Sequence, residues 1–136
     1  MNRRDFMMLT AAVTLAMPAM ARAATDYTPQ LLKSELAAGK TVFLDFKADW
    51  CSTCKSQERT INALKAANPA YAANITFINV DWDEWGDSAI VTEMNIPRRS
   101  TLVVLKGGKE LGRIVAGTAK AEIMALMDTA LQAATT

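Results

Sequence analysis

The sequence predicts one α/β domain built on a central four-stranded mixed sheet flanked by helices. Three observations point there. Helical and strand-like segments alternate through the first part of the chain, which calls for parallel crossovers. Lys106-Gly107-Gly108 then turns one strand-like run into the next, which makes an antiparallel hairpin. The 136 residues are 51% hydrophobic and 21% charged, enough for a single core.

Residues 1–23, MNRRDFMMLTAAVTLAMPAMARA, stand apart from that pattern. A charged start with Arg3 and Arg4 leads into an apolar run from Phe6 to about Ala21, closed by Ala21-Arg22-Ala23. This reads as a cleavable signal peptide, and the run is short for a membrane span. The arginine pair followed by Asp5 and Phe6 resembles a twin-arginine (Tat) signal. A Sec signal with adjacent arginines, or an uncleaved anchor, are the alternatives. Export by either route places the mature domain, 24–136, in a bacterial periplasm. Removing the peptide leaves 12 basic and 13 acidic residues, close to neutrality, and takes away five of the eight methionines. The methionine count therefore carries no metal-site signal.

The mature chain divides as follows. Thr28-Pro29 is an N-cap with proline in the first turn, and Gly39 closes that helix. Residues 41–48, TVFLDFKA, form a short buried strand. A helix runs from about Ser52 to Ala67 and stops at Asn68-Pro69. ITFINVD (75–81) is the second strand, and Asp87 to Met94 a short helix. TLVVL (101–105) and ELGRIVA (110–116) are the two hairpin strands. Thr118 is placed to cap a last helix with Ile123, Leu126, Met127, Ala130 and Leu131 on its apolar side.

Net charge is +1, and no stretch concentrates Lys and Arg on one face. Nucleic acid and a polybasic membrane contact are thereby disfavoured as partners. There is no histidine, and the two cysteines are too few for a disulfide scaffold.

Those cysteines, Cys51 and Cys54 in D-W-C-S-T-C-K (49–55), sit where the first long strand meets the next helix. Cys51 falls at the helix N-terminus, where free N–H groups and the helix dipole favour a thiolate, the nucleophile of disulfide exchange. Cys54 lies one turn on, on the same face and deeper, placed to resolve a mixed disulfide by attacking Cys51. A purely structural disulfide is the weaker reading, because so small a ring constrains the unfolded chain little. Half of a metal site, with Cys51 and Cys54 as ligands, is the other alternative. Structural zinc takes four ligands, usually Cys or His, and the chain has no more of either, so such a site would have to be shared between chains.

LDFKADWCSTCK resembles the strand-loop-helix active site of the thioredoxin family, with Trp50 before the first cysteine and Lys55 after the second. The order of elements over 27–134 suits a thioredoxin fold. FKADWCSTCKSQE is most similar to the thioredoxin-like C-terminal domain of the membrane thiol-disulfide interchange protein DsbD. The resemblance implies Cys51 as attacking and Cys54 as resolving thiol, no cofactor beyond the redox-active pair, and protein dithiols or disulfides as substrates. It implies that Asp45 is the family's buried acid beneath the pair. A carboxylate in an apolar strand is desolvated, so its pKa should rise and it could exchange a proton with Cys54. The alternative is an Asp45 on a solvated edge. Phe77 departs from the family, which often carries a lysine there as partner to this acid.

A second departure lies before the strand TLVVL. The family carries a cis-proline at that point, packed against the cysteines. Aligning the strand and its turn puts Ser100 in that position, with Pro97 three residues early. A cis Arg99–Ser100 bond would cost roughly 2.5–4 kcal/mol, so this peptide is strained or trans. The Ser100 hydroxyl or N–H could donate to a Cys51 thiolate. The family's proline is thought to keep metals off the pair, so its loss raises the metal-binding alternative (copper, zinc or an iron-sulfur centre).

Arg98 and Arg99 either bring positive charge to Cys51 or are solvated; Trp50, Arg99 and Ser100 make the expected near-site groove. Trp82 and Trp85 are read as local packing, Lys55 and Gln57 as exposed helix residues. The expected activity is a periplasmic, monomeric thiol-disulfide oxidoreductase, more a reductase than an oxidase, fed by a membrane donor of the DsbD type. A thiol-dependent chaperone is a further alternative.

Overall fold

The computed structural model describes residues 23–136; residues 1–22, with nearly all of the expected signal peptide and its arginine pair, lie outside the described residues. The elements are β1 (Thr25–Asp26), α1 (Pro29–Ala37), β2 (Thr41–Lys47), α2 (Ser52–Ala67), α3 (Ala70–Asn74), β3 (Ile75–Asp81), α4 (Trp82–Trp85), α5 (Ala89–Glu93), β4 (Thr101–Lys106), β5 (Lys109–Val115) and α6 (Lys120–Ala134). They form one mixed sheet in the order β1-β3-β2-β4-β5. The crossover through α2 makes β2 and β3 parallel, the hairpin makes β4 and β5 antiparallel, and β4 also pairs antiparallel with β2.

The sheet has five strands, not four. The extra one is β1, two residues that pair parallel with β3 through Thr25 opposite Ile78 and Asp26 opposite Asn79. Two residues show no periodicity, so only their position against the edge of β3 makes them a strand. Thr28 caps α1 as expected, its Oγ accepting from Leu31 N–H at 3.0 Å. Thr118 does not cap α6. Ala119 occupies the N-cap and no side chain bonds there. The expected 87–94 helix is shorter, 89–93, and is preceded by α4, capped by the Asp81 carboxylate on Asp83 N–H at 2.9 Å.

Strand alternation sorts the core. Phe43 faces α2 and α6 with Leu102 and Val104, meeting Ile61, Leu64, Ile123 and Met127. Val42, Leu44 and Phe46 face the other way with Val103 and Ile78, against α1, α4 and α5. Because β2 is covered on both faces and both edges, six of its seven residues are buried. The strand thus delivers Asp45 into the interior and the chain after it to the start of α2. Among the described residues no helix is long and apolar enough to cross a membrane.

Candidate active site

Cys51 is the N-cap of α2. Its backbone is extended (φ −89°, ψ 116°), and its Sγ accepts from the Cys54 N–H at 3.2 Å. A sulfur thus takes the place of the oxygen that usually satisfies a free N–H at a helix start. Its own N–H bonds Ala48 O and its carbonyl takes Lys55 N–H, so the backbone holds the turn from both sides. Both thiols are free and both are buried, Cys51 at 3% and Cys54 at 1% exposure, so the difference in depth is slight.

Ser100 completes the centre. Its Oγ lies 3.0 Å from Cys54 Sγ and 3.3 Å from Cys51 Sγ. The residue is wholly buried and pinned by its backbone. Its N–H donates to Phe46 O at 2.7 Å, and its carbonyl accepts from Ala116 N–H at 2.9 Å and Gln57 Nε2 at 3.0 Å. The Arg99–Ser100 peptide is trans. The backbone strain lies instead in φ, +64° at Ser100 and +61° at the bonded Ala116. Left-handed backbone at a non-glycine residue costs roughly 1–2 kcal/mol, which the three backbone bonds offset. Pro97 is exposed and outside this centre.

Gln57 is a correction to the sequence reading. It is wholly buried, and its Nε2 ties Ser100 O to Gly117 O at 3.0 and 2.9 Å. Its spacing from Cys54, three residues on in a helix, was the available signal. Lys55 is exposed as expected.

The electrostatics divide the two thiols. Burial pushes the Cys51 thiol up, but bonds from the Cys54 thiol, the Ser100 hydroxyl, the Cys54 N–H and the Arg99 side chain outweigh it and bring it down to about 6. Burial, and then the proton that Cys54 shares with Cys51, push Cys54 upward. One sulfur is therefore a thiolate at neutral pH and the other a thiol.

Asp45 is buried, 6% exposed, with Oδ1 lacking a protein hydrogen-bond partner. Burial raises its carboxyl to about 7, Lys47 lowers it, and Glu58 and the Cys51 thiolate raise it. Lys47 is engaged with Glu58 at 2.9 Å and Asp49 at 3.8 Å. Asp45, Glu58, Lys65 and Phe77 line a cavity of about 30 Å³, room for one water. Phe77 fills the place of a lysine on β3, but Lys65 comes from α2 and sets its Nζ 4.3 Å over the Phe77 ring. The sequence reading missed that lysine, because a helix residue enters the sheet layer only through packing.

Trp50 is the exposed lip, 59% accessible. Its Nε1 donates to the Asp83 carboxylate at 3.0 Å, and the Arg99 guanidinium stacks on its ring at 4.5 Å. Arg98 Nε turns back to Arg99 O at 3.0 Å. Trp82 packs against Ala48 and the two cysteines, and Trp85 meets Tyr27 edge-on at 5.0 Å, so both tryptophans are packing residues. Among the described residues no group of three or more His, Cys, Asp or Glu side chains is placed to hold a metal ion.

This chain is similar to thioredoxin H2 of Arabidopsis thaliana, 33% identical over 86 residues that cover 63% of this chain and 59% of that protein. It is 34% identical to thioredoxin-1 of Saccharomyces cerevisiae over 82 residues, 60% of this chain and 74% of that one. The matches to the Arabidopsis thaliana protein and to two rice thioredoxins span less than two thirds of those proteins' length. Among solved structures, Trxlp from Edwardsiella tarda superposes with a TM-score of 0.66 at 29% identity, covering 78% of this chain and 96% of that one. The thioredoxin family model matches residues 22–129, a stretch that contains Asp45, Cys51 and Cys54, and the chain belongs to the thioredoxin family.

Proposed function

We propose that this protein is an exported thiol-disulfide oxidoreductase that reduces protein disulfides through Cys51 and Cys54. The observation that carries the reading is the Cys51 thiolate, held at the start of α2 by donors on three sides while its partner keeps its proton. The Cys51 thiolate attacks a substrate disulfide, forms a mixed disulfide and expels one substrate sulfur as a thiolate. Cys54 loses its proton to the Asp45 carboxylate and attacks Cys51 Sγ. The second substrate sulfur departs with the electron pair and takes up a proton. The dithiol is oxidised to a disulfide and the substrate disulfide is reduced to two thiols. Trp50 and Arg99 flank the entry to Cys51, so the substrate chain lies across them, with Ser100 buried beneath.

The lowered Cys51 thiol supports a reducing direction of flow. A thiol near 7 belongs to thioredoxin at about −270 mV, and one near 3.5 to DsbA at about −120 mV. A Cys51 at about 6 lies nearer the first. That supports the reducing side. The signal-like residues 1–23 support a periplasmic setting, where a reductase needs a membrane dithiol donor of the DsbD type. The test is equilibration of the metal-free mature domain, 24–136, with defined dithiothreitol and glutathione ratios, trapping free thiols. A potential below about −200 mV supports a reductase, and one near DsbA's about −120 mV makes the protein an oxidant. A pair that does not cycle, in protein that purifies with bound metal, overturns the reading in favour of metal binding.

A further inference from the structure

The Ser100 hydroxyl is placed unlike any other polar group at the site. It touches both sulfurs, at 3.0 and 3.3 Å, and among the described residues that oxygen has no other hydrogen-bond partner. The backbone carrying it cannot swing, because its N–H and carbonyl are held by Phe46, Ala116 and Gln57. Within that frame the hydroxyl proton can turn from one sulfur to the other, in a wholly buried side chain. A hydroxyl offers one donor and two acceptor sites. It can therefore donate to whichever sulfur is anionic.

We propose that Ser100 is a catalytic residue whose single hydroxyl proton serves the two sulfurs in turn, Cys51 in the first step of exchange and Cys54 in the second. In the resting dithiol it donates to the Cys51 thiolate, as the Cys54 thiol does. When Cys51 attacks, its charge passes to the departing substrate sulfur, and a sulfur within a disulfide is a poor acceptor. The proton then turns 180° or less to Cys54. Cys54 gives its own proton to Asp45 and, as a thiolate stabilised by Ser100, forms the Cys51–Cys54 bond as the Cys51–substrate bond breaks. The leaving sulfur takes the electron pair and is protonated. No further oxidant or reductant is consumed.

This proposal rests on the oxidoreductase reading, and one assay separates the two. 5,5′-Dithiobis(2-nitrobenzoate) reacts with the reduced mature protein in two phases. Attack by Cys51 releases a first thionitrobenzoate at a second-order rate, and resolution by Cys54 releases a second at a first-order rate. Absence of the second phase in the unaltered protein overturns the oxidoreductase reading itself. The variants are Ser100→Gly, whose backbone suits the +64° φ, and Ser100→Ala; near-ultraviolet circular dichroism reports whether each keeps its packing.

Losing a hydrogen bond to a thiolate shifts a thiol by about one unit. At neutral pH Cys51, at about 6, keeps about half or more of its thiolate while its nucleophilicity rises about threefold, so the first phase slows only below about pH 6; Cys54, raised from its ordinary value, loses tenfold in thiolate and the second phase should slow about threefold. The pH profile of the second phase should move up by about one unit. The other charges facing the pair, Asp45 with Lys47 and Glu58 behind it and Arg99 at the entry, are unchanged in these variants. A first-phase pH profile that moves up with an unmoved second-phase rate and profile overturns the proposal and leaves Ser100 serving Cys51 alone. Two unmoved phases in folded Ser100→Gly overturn it altogether.

Discussion

Asp45→Asn should make the oxidised protein more stable, and only above mildly acidic pH. In the folded chain burial lifts the Asp45 carboxyl from 3.8 to about 7. Between those values the folded state holds a proton that the unfolded state has released, so the stability of the native protein falls as pH rises. The loss is absent below pH 3.8, accumulates up to about pH 7 and is constant above it. About three units at 1.36 kcal/mol each amount to about 4 kcal/mol. Asparagine has no proton to lose, so the variant escapes this. Closing the disulfide first keeps the thiols from titrating, and it removes the Cys51 thiolate, the smallest of the causes acting on Asp45. The assay is urea denaturation of the oxidised parent and variant at pH 4 and pH 8, followed by tryptophan fluorescence. Any effect of the amide on packing is common to both pH values, so the stability difference should shift in favour of the variant by about 3–4 kcal/mol on going to pH 8. A shift under about 1 kcal/mol would mean that Asp45 is solvated in the folded state, and the role as acceptor of the Cys54 proton would fall with it.

The remaining expectations concern the groups around the sulfurs. Alkylation of the reduced protein by iodoacetamide should modify Cys51 first and reach half its maximal rate near pH 6, the value the surrounding donors impose. Arg99→Ala should move that midpoint upward and leave the fold intact, since the guanidinium rests on exposed Trp50; an unmoved midpoint would show that Arg99 does not act on the thiolate. Gln57→Leu removes the tie between the Ser100 and Gly117 carbonyls, and a loss of about 2–3 kcal/mol in denaturant stability is expected from the stranded Gly117 oxygen and the slackened Ser100 loop.

Local chemistry accounts for what could be read along the chain. The apolar run of β2, the cap at Thr28, the stop at Asn68-Pro69 and the glycine turn after β4 are all decided within a few residues, and the structure places elements at each. The cysteine pair at the start of α2 belongs to the same class, because a helix N-terminus and a three-residue spacing are local facts. Aligning the hairpin strand and turn was enough to single out Ser100 over Pro97, and the structure puts the serine, not the proline, against the sulfurs.

Other features depended on residues far apart in the chain. Gln57 looked like a surface helix residue, but the carbonyls that bury it come from the β4 loop and from Gly117, 43 and 60 positions away. Lys65 reaches Phe77 only because α2 packs on β3, and Thr25–Asp26 is a strand only beside that edge. The sequence by itself determined where the candidate groups stand, two sulfurs at a helix start and an acid in an apolar strand. The tertiary structure alone decided their protonation. Hydrogen bonds and burial set a pKa, and the groups responsible for Cys51 and Asp45 are brought together from β2, α2 and the loop before β4 only when the sheet closes.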